Sequence, residues 1–199
     1  MPQPEPPPRF EARPLGALAL VAALALGSAP AASAAEFTRI DPAASEITFA
    51  YTQMGVNMDG RFTRFDAQIA FDPAAPEQGR AVLELPLAAI DVGFADANSE
   101  VQDKAWFDVA QFPVARFESS RITALGDNRF ELSGTLTLKG TSHPISAPVT
   151  WTGQGTRAVF EGSFSLQRAD YAIGEGQWSD FRLVANEVRV RFRITALQP

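Results

Sequence analysis

The chain has 199 residues, a net charge of −6, no cysteine and one histidine, His143. A mildly acidic chain is a poor partner for nucleic acid. The missing cysteines exclude a disulfide framework, thiolate metal sites and cysteine nucleophiles, and one histidine leaves little for a histidine-rich metal site or a Ser/His/Asp triad; no catalytic residue, metal or cofactor is assigned.

Residues 1–34 have the layout of a secretory signal peptide. Arg9 and Arg13 form a thin basic region, the apolar run Leu15–Leu26 follows, and Ala32-Ser33-Ala34 supplies a small-x-small cleavage signal. The run is shorter than the roughly 20 residues that a spanning helix needs. Cleavage after Ala34 leaves residues 35–199, one domain with length for a sizeable core. Periplasmic export in soluble form is the expectation.

The rest of the chain repeats one pattern, the period-2 alternation of half-buried strands. Ile47, Phe49 and Tyr51 share a face, followed by Phe65, Ala67, Ile69 and Phe71, then Ala81, Leu83, Leu85 and Leu87. Leu132, Gly134, Leu136 and Leu138 alternate with Ser133, Thr135 and Thr137 without a miss. Ile145 to Trp151, Ala158 to Leu166 and Val188 to Ile194 continue it, the last with Arg189, Arg191 and Arg193 on the opposite face. Turn chemistry (DPAAPEQG, LGDN, KGTSHP, TGQG) separates the segments. Strands so spaced predict an antiparallel sandwich or barrel. Residues 96–113 break the pattern. Ser99 and Gln102 form a capping box that predicts a short helix from about Glu100, with Val101, Ala105 and Val109 on one face and Pro113 as a stop. Fourteen of the fifteen phenylalanines follow the leader. A filled sandwich has room for no ligand, whereas a barrel of about eight strands encloses one.

Five short motifs occur in order: FTRIDPAASEITFAYTQMGVNMDGRF, FDP, WFDVAQFPVARFESS, LSGTLTLKGTSHPI and LQRADYAIG. Together, from Phe37 to Ile194, they resemble the YceI-like family of bacterial exported lipid-binding proteins. The resemblance implies an all-β, lipocalin-like antiparallel barrel with a short helical insert, holding a long-chain polyisoprenoid or fatty-chain ligand. Two departures stand out. Where the family's motif ends in glycine this chain has Ala172, and alanine adopts positive φ at a cost. His143 stands where the family has lysine.

A carrier must replace the water around a hydrocarbon chain, each methylene of which gains about 0.8 kcal/mol on burial. Candidate wall residues are Phe49, Tyr51, Phe65, Phe71, Leu83, Leu85, Phe117, Leu136, Phe160, Phe164 and Phe192. Candidate head contacts are Arg168, Asp170, Tyr171 and Trp178; an Arg168–Asp170 ion pair that fixes a turn is the alternative. The Arg189/Arg191/Arg193 row reads either as a solvated face that resists edge pairing or as a transient contact with an anionic membrane surface. Two other function classes remain open: a lipid-modifying enzyme acting through Asp170 and Tyr171, and a filled all-β module that assists a membrane redox partner. The oligomeric state is open, a homodimer included.

Overall fold

The computed structural model describes Gln3 and residues 36–199; apart from Gln3, the expected leader lies outside the described residues. The fold is all-β, as the alternation predicts. The strands are β1 (Arg39–Ile40), β2 (Glu46–Gln53), β3 (Val56–Phe62), β4 (Asp66–Ala70), β5 (Arg80–Pro86), β6 (Ile90–Asp91), β7 (Val114–Gly126), β8 (Arg129–Leu138), β9 (Thr141–Gln154), β10 (Arg157–Gln167) and β11 (Glu187–Leu197). They form one antiparallel sheet in the order β4-β5-β7-β8-β9-β10-β11-β2-β3-β6, with β1 on β11. The sheet curls into a lipocalin-like half-barrel. A backbone pair between Phe37 and Phe71 (2.9 and 3.2 Å) ties the segment before β1 to the end of β4.

Eleven strands among the described residues exceed the expected eight or so, for local reasons. β1 and β6 have two residues each, too few to alternate visibly. β3 reads VNMDGRF, with a glycine and an aspartate where apolar residues would announce a strand. In β7, register shifts between Ser119 and Arg121 and between Ala124 and Gly126 break the period.

Elsewhere register follows pattern. β11 pairs with β2 so that Val190 meets Phe49 and Phe192 meets Ile47 on the concave face, while Arg189 meets Ala50 and Arg191 meets Thr48 on the convex one. The basic row is therefore exposed, and two of its members have carboxylate neighbours: Arg193 pairs with Glu161, and Arg189 lies 3.9 Å from Glu187.

The helical insert begins earlier than the capping box predicts. Helix α1 spans Ala95–Glu100 with Phe94 at its N-cap, so Ser99 and Gln102 stand at its end rather than its start. The Gln102 amide donates to the Asn98 carbonyl (3.0 Å), satisfying an acceptor of the last turn. The start is set instead by the Asn98 side chain, whose Oδ1 accepts from Val92 N (2.7 Å) and folds the loop before α1 onto it. Val101, Ala105 and Val109 do pack on the core, from turns rather than from a helix.

Candidate functional site

The concave face encloses a cavity of about 290 Å³. Its walls come from all the strands β1 to β11, the insert and the loop after β10. Twelve of the expected ligand contacts line it: Phe49, Tyr51, Phe71, Leu83, Leu85, Phe117, Leu136, Phe160, Phe164, Arg168, Trp178 and Phe192. Leu132 and Leu138 join Leu136, so the leucine face of β8 is cavity wall.

Three expected contacts lie elsewhere. Phe65 precedes β4 and packs on the core outside the cavity lining. Tyr171 is 2% exposed in the core, with its hydroxyl pKa pushed up by burial and by Asp170. Asp170 is exposed beside it, and its backbone carbonyl accepts a hydrogen bond from His143 Nε2 (3.0 Å). His143 thus lies on β9 rather than in a turn, its ring packed edge-on against Tyr171 at 5.0 Å.

The lumen stays open because aromatic rings lie along the wall over glycines. Gly60 is the cross-strand partner of Phe49, and Gly162 that of Phe192. At both, an added Cβ would collide with the partner's ring, and at Gly134 it would stand 2.5 Å from Phe117 Cε2. With no side chain beneath it, each ring folds flat against the sheet instead of standing into the lumen. One end is closed by an edge-to-face cluster in which Phe71 meets Phe130 at 5.3 Å and Phe160 at 5.0 Å.

The other end is built by the insert and residues 168–184. Its anchor is Arg168, 2% exposed. Nε donates to Ala185 O (3.2 Å), Nη1 to Ile173 O (2.7 Å) and Gly174 O (2.9 Å), and Nη2 to Trp178 O (2.6 Å) and Val184 O (2.8 Å). A guanidinium has five N–H donors, and all are spent on carbonyls of the loop it organises. The expected alternative, an ion pair with Asp170, does not form. The cation instead lies between the rings of Trp106 (5.7 Å) and Phe181 (5.2 Å), and burial pulls its pKa down. Ala172 closes the turn at φ 52°, so alanine adopts the left-handed conformation expected of the missing glycine. Lys139 Nζ reinforces the turn from the β8–β9 hairpin through Ala172 O (2.6 Å) and Glu175 (2.9 Å).

Sequence reading misses three polar residues of this wall. Gln53 carries the alternation of β2 one step past Tyr51 and is bridged to Val184. Glu100 accepts from Trp178 Nε1 (2.9 Å) through Oε1. Trp106, 9% exposed, packs on Trp178 at 5.5 Å, and its indole N–H has no partner among the described residues. Only Gln53 had a signal, its place in the period; nothing local marks Glu100 among its acidic neighbours.

The chain resembles proteins of known sequence and structure over most of this sheet. It is 31% identical over 166 residues to a UPF0312 protein of Azotobacter vinelandii (strain DJ / ATCC BAA-1303), covering 77% of this chain and 86% of that one. It is 32% identical, with the same coverage, to a UPF0312 protein of Pseudomonas aeruginosa (strain LESB58). The crystal structure of Burkholderia cenocepacia BcnA superimposes with a TM-score of 0.77 at 36% identity, over 79% of this chain and 99% of that one. A domain from Saccharophagus degradans, described as polyisoprenoid binding and implicated in plant cell wall breakdown, shares the fold: TM-score 0.65, 21% identity, 82% and 99% coverage. The family model described as YceI-like domain matches residues 39–196, and the chain belongs to the YceI-like family.

Proposed function

We propose that this protein is a periplasmic carrier, exported by a cleaved leader, that holds a long-chain isoprenoid or fatty-chain lipid in its cavity without chemically altering it. The observation that carries the reading is the apolar cavity of about 290 Å³, walled by aromatic and aliphatic strand residues. That volume stands near the low end of small-molecule sites, and its apolar lining suits a hydrocarbon chain more than a polar metabolite. Family membership supports the reading, as does the polyisoprenoid-binding description of the Saccharophagus degradans domain. A filled all-β module would have its lumen closed by side chains, which this lumen is not. For a lipid-modifying enzyme, the one pair worth testing, Asp170 and Tyr171, lies outside the cavity lining.

Mass spectrometry of an organic extract of the purified protein tests the reading and is expected to show a co-purified long-chain molecule. A clean extract, together with no uptake of added lipid, refutes it. Intact-mass measurement of the secreted form is expected to place the mature N-terminus at Ala35. The exposed arginines of β11 are the place to test for transient contact with anionic vesicles.

A further inference from the structure

We infer that the cavity takes a lipid whose polar head is an uncharged hydroxyl, seated at the end formed by Tyr51, Gln53, Glu100 and Trp106, rather than a lipid with a phosphate head. The inference rests on the carrier reading above and narrows it to a head chemistry.

Hydrogen-bonding capacity at this end decides the matter. The cation that would attract a phosphate, Arg168, has no donor left: five N–H groups meet five backbone carbonyls at 2.6–3.2 Å. A phosphate oxygen gains a hydrogen bond there only by displacing a buried carbonyl, which is then left unpaired. Lys139 spends two of its three donors on Ala172 O and Glu175 and stands outside the cavity lining. What remains unspent in the lining at the insert end is neutral or negative. Glu100 uses Oε1 to accept from Trp178, leaving Oε2 as an acceptor. A carboxylate so placed repels a phosphate and accepts from a hydroxyl.

Trp106 adds the complementary group. Its N–H is a buried donor with no partner, and such groups are rare enough in folded proteins to call for a reason. Trp106 and Glu100 both line the cavity and both meet Trp178, and an indole N–H together with a carboxylate oxygen matches a hydroxyl, which accepts from one and donates to the other. Tyr51 and Gln53, two residues apart on one face of β2, extend the polar rim. One other cation borders the cavity, Arg80, exposed with Gln68 on the β4–β5 side. Trp151, the other buried indole N–H without a partner among the described residues, packs on Phe37 and Phe71 outside the cavity lining, whereas Trp106 lines the cavity, so the head is assigned to the insert end.

The test compares three C20 probes on delipidated protein by calorimetric titration: geranylgeraniol, geranylgeranyl diphosphate and the hydrocarbon phytane. The alcohol is expected to bind at least tenfold more tightly than the diphosphate and several-fold more tightly than phytane. Glu100→Gln is expected to narrow the alcohol–diphosphate gap at least threefold. A diphosphate that binds as tightly as the alcohol overturns the inference; loss of that binding in Arg80→Gln would move the head to the β4–β5 edge. A gap unchanged in Glu100→Gln also overturns it. Binding of none of the three removes the carrier reading itself.

Discussion

Gly162→Ala tests how the lumen is kept open. Gly162 lies opposite Phe192 on β11, and a Cβ there would collide with the Phe192 ring and stand 2.7 Å from Pro148 O. Carbon contacts are comfortable at about 3.5–4.0 Å, so the ring must move by about 1 Å or more. Backbone lies behind it, which leaves the lumen as the direction of travel. Overpacking of this kind costs about 1–3 kcal/mol. Reduced freedom of the unfolded chain returns about 0.4–1 kcal/mol, for a net loss of about 1–2 kcal/mol. A ring displaced into the cavity excludes one or two methylenes of ligand at about 0.8 kcal/mol each, which weakens binding about four- to fifteenfold. Urea unfolding and lipid titration measure the two effects. The double variant Gly162→Ala/Phe192→Leu, which removes the ring that collides, is expected to recover part of the lost stability, the contact with Pro148 O remaining. If Gly162→Ala is neutral in stability and binding, the rings do not depend on bare glycine and the account of hollowness fails.

Three further outcomes follow from the loop after β10. Arg168→Met strips five carbonyls of their donors and is expected to cost about 3–5 kcal/mol in chemical denaturation; a loss below about 1 kcal/mol would show that the guanidinium does not hold the loop. Ala172→Gly relieves a left-handed alanine at φ 52°, and is expected to raise stability by up to about 1 kcal/mol after the entropy of glycine is set against it; a clear loss would contradict that backbone conformation. Asp180 is held to a pKa of about 2, below its ordinary 3.8, by hydrogen bonds from the Arg182 side chain and backbone. Because the folded-state value is the lower one, its contribution is complete above pH 3.8 and fades as pH falls toward 2. The pair is exposed, so the effect is small; acid unfolding of Asp180→Asn should lack that part of the pH dependence.

How much was legible in the sequence depended on the length scale of each signal. Strand faces were readable because the period is local: β8, β10 and β11 put on the concave side the residues that alternation assigns there. The β7 bulges and the polar β3 were not, since each depends on partners across the sheet. The helical insert was misplaced because Ser99 and Gln102 satisfy a capping box by spacing alone, while the real start is set by Asn98 reaching back to Val92. At the site, the apolar wall was legible and the polar end was not. Charge marked Arg168 and Asp170 as head contacts or as a turn-fixing ion pair, yet the fold spends Arg168 on five carbonyls and leaves Asp170 at the surface. Those carbonyls belong to Ile173, Gly174, Trp178, Val184 and Ala185, a cage that no pairwise spacing rule describes.

A hollow interior has an energetic consequence that can be measured directly. Enclosed empty apolar volume costs about 24 cal/mol per Å³, so for this partly open cavity of 290 Å³ the ceiling is about 7 kcal/mol. That is comparable to the whole stability of a typical domain, about 5–15 kcal/mol. Water is poor compensation, because walls such as Leu136, Phe117 and Phe192 offer it no hydrogen bonds. The protein without its ligand is therefore expected to be markedly less stable than the protein with it, and the difference to depend on ligand concentration. At a free ligand concentration 100 times Kd the gain is about 2.7 kcal/mol. For a domain of this size that corresponds to a rise of about 5–11 °C in Tm. Scanning calorimetry on organic-extracted and lipid-replenished protein measures it. Coincident transitions at all lipid concentrations would mean that nothing fills the cavity, and that the sheet tolerates the void by some packing other than the one described.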